Sequence, residues 1–176
     1  MKSRNQILCL LLLSNVIILF CIALVNDRTG YWGVFLYLPG VLFIPHYQVL
    51  NLGRSLTGLF ITGLFYDHLF HHTFGFHAFI FCFIFLISKE FFHLGKQSFN
   101  QIVLFQALIN LTMGAIWALS CFTQNSLLGV WPIQRFIIDI LISTLLLIPI
   151  SIWFTNFCDV WMGRFHLSTA HKAKLH

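Results

Sequence analysis

Residues 7–25 read ILCLLLLSNVIILFCIALV, an apolar run without a charged side chain. At about 1.5 Å of rise per residue, such a run is long enough for a helix to cross roughly 30 Å of hydrocarbon. Lys2 and Arg4 precede it, as they would in a secretory signal. No small-x-small cleavage site stands before Asn26, however, and Phe20 occupies the position before Cys21 where a lipoprotein signal needs a small residue. The expectation is an uncleaved first transmembrane helix.

Further apolar runs lie near Trp32–Leu50, Ser55–Phe70, Phe76–Ser88, Phe99–Cys121 and Ile133–Phe157. Lipid offers the backbone no hydrogen-bond partners, so helices are expected in each. The second run carries Pro39 and Pro45, each of which removes a backbone donor and crowds the preceding turn, predicting a kinked or broken helix. Over the 176 residues, 59% are hydrophobic, 9% are charged and mean hydropathy is +0.86, well away from soluble domains, where about a quarter of residues are charged.

If the N-terminus is cytoplasmic, Lys2, Arg4, Arg54, Lys89, Lys96, Arg164, Lys172 and Lys174 share that side, with Arg28 and Arg135 opposite. The positive-inside rule then selects an all-α integral membrane protein with six transmembrane helices and both termini cytoplasmic. Residues 1–176 read as a single polytopic domain, with a polar, basic and mobile tail over residues 159–176. Tyr31, Trp32 and Trp131 suit interfacial anchoring. The net charge of +5 sits beside apolar spans, so it reads as a topology signal and as attraction to anionic membrane lipid, with no nucleic-acid partner.

Asp67 is the costly residue, because a charged acid deep in a span costs on the order of 2.5 to 3.5 kcal/mol. Ser55, Gly58, Thr62 and Tyr66 recur at helical spacing beside Gly63 and Asp67, a narrow face that admits a close neighbour. Asp67 is expected to pack or pair inside the bundle, the alternatives being headgroup placement or proton and ion chemistry. Ala107, Asn110, Gly114, Ala118 and Cys121 form a second such face. Arg135 and Asp139 are one turn apart and can pair with each other, or Arg135 can reach Asp67.

His68, His71 and His72 form HxxHH, while His166, His171 and His176 are spaced as HxxxxH. Histidine boxes of this kind hold iron in membrane oxygenases, but the charge pattern puts the two groups on opposite sides of the bilayer. The five cysteines are scattered singly and read as small packing residues. GxSxG, Walker and HExxH motifs are missing from the sequence. A catalytic set, a metal and a cofactor are therefore not expected.

The middle of the chain resembles the bacterial rod shape-determining MreD family. Residues 37–46, YLPGVLFIPH, look like that family's second apolar segment, which ends in a Pro-His pair, here Pro45 and His46. Residues 58–78, GLFITGLFYDHLFHHTFGFHA, are similar to its stretch of glycine-rich helix, aspartate, short loop and next helix, with Gly63, Asp67, Gly75 and Ala78 at the matching positions. The likeness implies a non-enzymatic adaptor in the bacterial inner membrane. It would bind a single-span MreC-like protein and link a cytoplasmic filament protein to the peptidoglycan synthase of the elongation complex. An alternative is the substrate-binding subunit of an energy-coupling-factor vitamin transporter, with Asp67, His68, His71, His72 and His77 lining an outward pocket. A histidine-box metalloenzyme stands behind both.

Overall fold

The computed structural model describes residues 2–44, 50–70, 73–93, 99–123 and 133–164. Among them lie five α-helices and no strand: α1 (Lys2–Thr29), α2 (Leu52–Leu69), α3 (Phe76–His93), α4 (Phe99–Thr123) and α5 (Ile133–Arg164). Three apolar helical stretches, Arg4–Trp32, Asn100–Leu119 and Phe136–Arg164, are long enough to cross a membrane, and Phe76–Ser88 is a shorter apolar one. Polar residues are buried among the apolar core while large apolar side chains are exposed. Asn15, Thr62, Asp67, Asn110 and Ser143 are buried, whereas Phe79, Phe83 and Ile87 on α3 and Leu104, Leu141 and Leu145 on α4 and α5 are exposed. Large apolar side chains left exposed while polar ones are buried suit lipid as the solvent.

The chain divides into two compact units, residues 1–21, 44–96 and 153–176 forming one and residues 22–43 and 97–152 the other. In the first, the Asn15 amide donates to Thr62 Oγ1 at 3.0 Å, and Arg4 reaches Asn51 at 2.6 Å. Both pairs are separated by 47 positions along the chain, so α1 and α2 run parallel with their N-terminal ends together. Residues 30–44 begin the return that follows α1.

This return corrects the expected second helix. After α1, a single 3-10 turn (Gly30–Trp32) is closed by Gly33 at φ 77°, with Gly33 N–H bonded to Gly30 O and Val34 N–H to Thr29 O. That is the double bond pattern with which a left-handed glycine terminates a helix. Beyond it, the described residues form no α-helix until Leu52; one 3-10 turn at Pro39–Leu42 interrupts a non-helical segment. Pro39 opens that short turn at its first position, where its missing N–H costs nothing. Pro45, His46 and the remainder of residues 45–49 lie outside the described residues.

The helices α3, α4 and α5 begin where expected and end later. α5 runs through Pro149 to Arg164, so residues 159–164, expected in a mobile tail, continue the helix. Its 32 residues give about 48 Å at 1.5 Å per residue, more than the roughly 30 Å of a hydrocarbon core.

Candidate functional site

Two polar constructions sit inside the apolar chain, one in each unit. The first is the hairpin of α2 and α3. Along α2 the buried residues are Ser55, Gly58, Leu59, Thr62, Gly63, Tyr66 and Asp67, a stripe at spacings of three and four. The Thr62 hydroxyl returns its proton to the carbonyl of Gly58 at 2.8 Å, which hides one polar group against the helix itself. Gly63 lies so close to α3 that a Cβ there would meet Ala78 N at 2.5 Å and His77 C at 2.8 Å, as well as Ala78 Cα. The absent side chain brings two backbones together, and Tyr66 fills the space beyond with ring contacts to His77 at 4.4 Å and Phe81 at 6.0 Å.

Asp67 closes this hairpin. It is 1% exposed, and its Oδ2 accepts the Gly75 amide at 2.9 Å and the His77 amide at 3.2 Å, while Oδ1 accepts the His77 amide at 3.1 Å. The first helical bond of α3 runs from Phe79 N–H to Gly75 O, which makes Gly75 the residue that caps the helix. Gly75 adopts φ 91°, a left-handed conformation open to glycine, and it has no side chain with which to cap α3. The carboxylate of the preceding helix does so instead, binding N–H groups that would otherwise be buried unpaired and placing negative charge at a helix N-terminus. His77 Nδ1 lies 2.7 Å from Asp67 Oδ1, so the ring proton belongs on Nδ1 as a third donor. Both side chains are fully buried.

The second construction holds the non-helical return. Asn26 clamps Leu36 from both sides, its Oδ1 accepting the Leu36 amide at 2.7 Å and its Nδ2 donating to the Leu36 carbonyl at 3.0 Å. Asp139 Oδ1 accepts Phe35 N–H at 3.2 Å, and Ser143 Oγ accepts Tyr37 N–H at 2.8 Å. Asn110 Oδ1 accepts Gly40 N–H at 3.4 Å, and Gln106 Nε2 donates to Phe43 O at 3.2 Å. Ser151 donates to Gln106 Oε1, and Asn110 Nδ2 donates to Thr144 Oγ1 at 3.4 Å. The spacing has a simple origin. Two residues of extended chain advance about 6.6 Å, four residues of helix about 6 Å, so Asp139 and Ser143 meet the amides of Phe35 and Tyr37 in step.

Irregular backbone inside an apolar layer is tolerated where protein groups satisfy it. Gly40 allows the closest approach, since a Cβ there would overlap the Gln106 carbonyl oxygen and reach Leu147 at 3.0 Å. Replacing Asn110 with leucine strands the Gly40 amide. The expected result is a loss of about 1–2 kcal/mol in a detergent melt; an unchanged melting temperature would mean that this amide finds another acceptor.

These placements distribute the residues expected to matter. Gly58, Gly63, Asp67 and Gly75 come together in the hairpin, and Asn110 and Asp139 come together at the return. Gly114 packs against Ile140 and Tyr37. Pro45, His46, His71, His72, Trp131 and the distal histidines lie outside the described residues, as does the side chain of Arg135. Asn15, Asn26, Gln106 and Ser143 were not expected; the signal was a polar residue within an apolar run, with Gln106 and Asn110, like Asp139 and Ser143, spaced four apart. Among the described residues, no three of His, Cys, Asp and Glu converge as metal ligands. No protein-family profile, curated protein or solved structure matches this chain.

Proposed function

We propose that this chain is a non-enzymatic, multi-pass adaptor of the bacterial inner membrane, of the MreD type, serving the cell-elongation machinery. The observation that carries the reading is the use made of Asp67. An acid inside an apolar hairpin is expensive, and here both its oxygens are engaged by Gly75 and His77 of the next helix. Of the residues on which the MreD likeness rests, Gly63, Asp67, Gly75 and Ala78 belong to one hairpin, while Pro45 and His46 lie outside the described residues. A motif that builds a helix pair fits a protein that holds another protein better than one that turns over a substrate.

In the same reading the membrane is crossed six times, five times by α-helix and once by a return that begins with the non-helical residues 33–44, with both termini cytoplasmic. The parallel course of α1 and α2 supports this count, because a chain that enters twice from one face must come back between. The positive charges support the orientation. The partner is a single-span MreC-like protein, through which filament protein and peptidoglycan synthase are reached. Co-expression with such a partner, followed by capture on a tag and washing in mild detergent, should retain it at a fixed ratio. Its absence, together with a saturable melting shift on adding a vitamin, would overturn the adaptor in favour of a transporter subunit.

A further inference from the structure

We propose that Arg4 and Arg54 form a site for the phosphate of an anionic membrane lipid at the bilayer face where α1 and α2 begin. Arg4 Nη1 of α1 donates to Oδ1 of Asn51, the residue preceding α2, at 2.6 Å. Reciprocally, Arg54 Nε of α2 donates to Oδ1 of Asn5 on α1 at 2.9 Å. The two crossed bonds tie each guanidinium across to an asparagine at the start of the neighbouring parallel helix.

Both acceptors are neutral amides. Each bond orients its guanidinium and leaves the charge uncompensated. Among the described residues, no carboxylate pairs with either arginine, and neither helix has an acidic residue in its first turn. A guanidinium carries five N–H donors in a planar fork, and these bonds occupy one on each residue, leaving donors for the oxygens of a phosphate. The dipoles of the two helices point their positive ends the same way and add to that field.

Depth selects the source of the phosphate. The uncharged apolar run of α1 begins at Ile7, within one helical turn of Arg4, and Arg4, Asn5 and Asn51 are exposed. The guanidinium pair therefore sits at the margin of the hydrocarbon, the level at which lipid phosphates lie and at which acyl chains hold them in place. A single positive charge at that level would be a topology signal. Two, each pinned through its partner helix, constitute a site.

The test uses the full chain in nanodiscs of equimolar phosphatidylglycerol and phosphatidylcholine, extracted gently and read by native mass spectrometry for co-retained lipid. The wild-type protein is expected to retain phosphatidylglycerol preferentially. The Arg4→Gln, Arg54→Gln double variant should lose that preference by roughly tenfold, while Arg28→Gln, at the other end of α1, should keep it. The double lysine variant preserves charge and discards the fork, and is expected to fall well below wild type. Because it is the milder change, it also gives a reading if the glutamine variant proves unstable. Full preference in the lysine variant would reduce the site to diffuse surface charge and overturn it. So would equal retention of the two lipids by wild type, or displacement of the lipid by millimolar inorganic phosphate, which would make the ligand a free anion.

Discussion

Replacing Asp67 with leucine should unfold the α2–α3 hairpin more readily than any other single change in the described chain. Leucine matches the volume and suits the apolar surroundings, so on hydropathy alone the variant would gain. Against that gain stand the Gly75 amide, the His77 amide and the His77 ring N–H, all directed at the carboxylate. A buried donor left without a partner costs about 1–3 kcal/mol, so the combined loss is on the order of 4 kcal/mol.

Asparagine separates the contributions. It keeps one oxygen acceptor and substitutes an NH2 group for the other, placing donor against donor, and should cost about half as much. Melting in detergent, followed by size-exclusion chromatography, should order the proteins as wild type, asparagine, leucine. Hydrogen exchange should accelerate at Gly75 and His77 first. A leucine variant that melts with wild type and protects those amides would remove the cap as the reason for the acid.

The chain reveals its helices and conceals the non-helical segment that follows α1. Apolar runs announce α1, α4 and α5 because lipid imposes a length and a composition that few other environments demand. The inward stripe of α2 is legible for a similar reason: Ser55, Gly58, Thr62 and Gly63 are small or weakly polar at spacings of three and four, a pattern wasted on a lipid-facing surface. Pro39 and Pro45 signal trouble in the next segment, but proline alone signals a kink. Whether the backbone abandons the helix depends on who accepts and donates its hydrogen bonds, and those groups, on Asn26, Gln106, Asn110, Asp139 and Ser143, are spread along most of the chain. Asp67 is opaque for the opposite reason. Its partners are close in sequence, but two of them are main-chain amides, which exist at every position and so leave no mark in the residue string.

Gly63→Ala and Gly114→Ala make the sharpest paired test of the helix contacts, because the same added methyl group meets backbone at one site and a side chain at the other. At Gly63 it would run into Ala78 Cα and N and the carbonyl carbon of His77. No rotamer change relieves that overlap. The hairpin must open, at a cost of about 1–3 kcal/mol, and the Asp67 bonds lengthen with it. Ala78→Gly should fail to rescue the variant, since the obstructing atoms remain. At Gly114 the methyl would meet Ile140 Cδ1 at 2.5 Å and Cγ1 at 3.3 Å, the flexible end of a side chain, so the loss should be smaller and Ile140→Val should recover most of it. Gly53, with nothing within 4 Å, provides the control: alanine there should leave the protein unchanged or raise its stability by up to about 1 kcal/mol through helix propensity. Equal losses at Gly63 and Gly114, or rescue of Gly63→Ala by Ala78→Gly, would contradict a hairpin whose closeness is set by main chain against main chain.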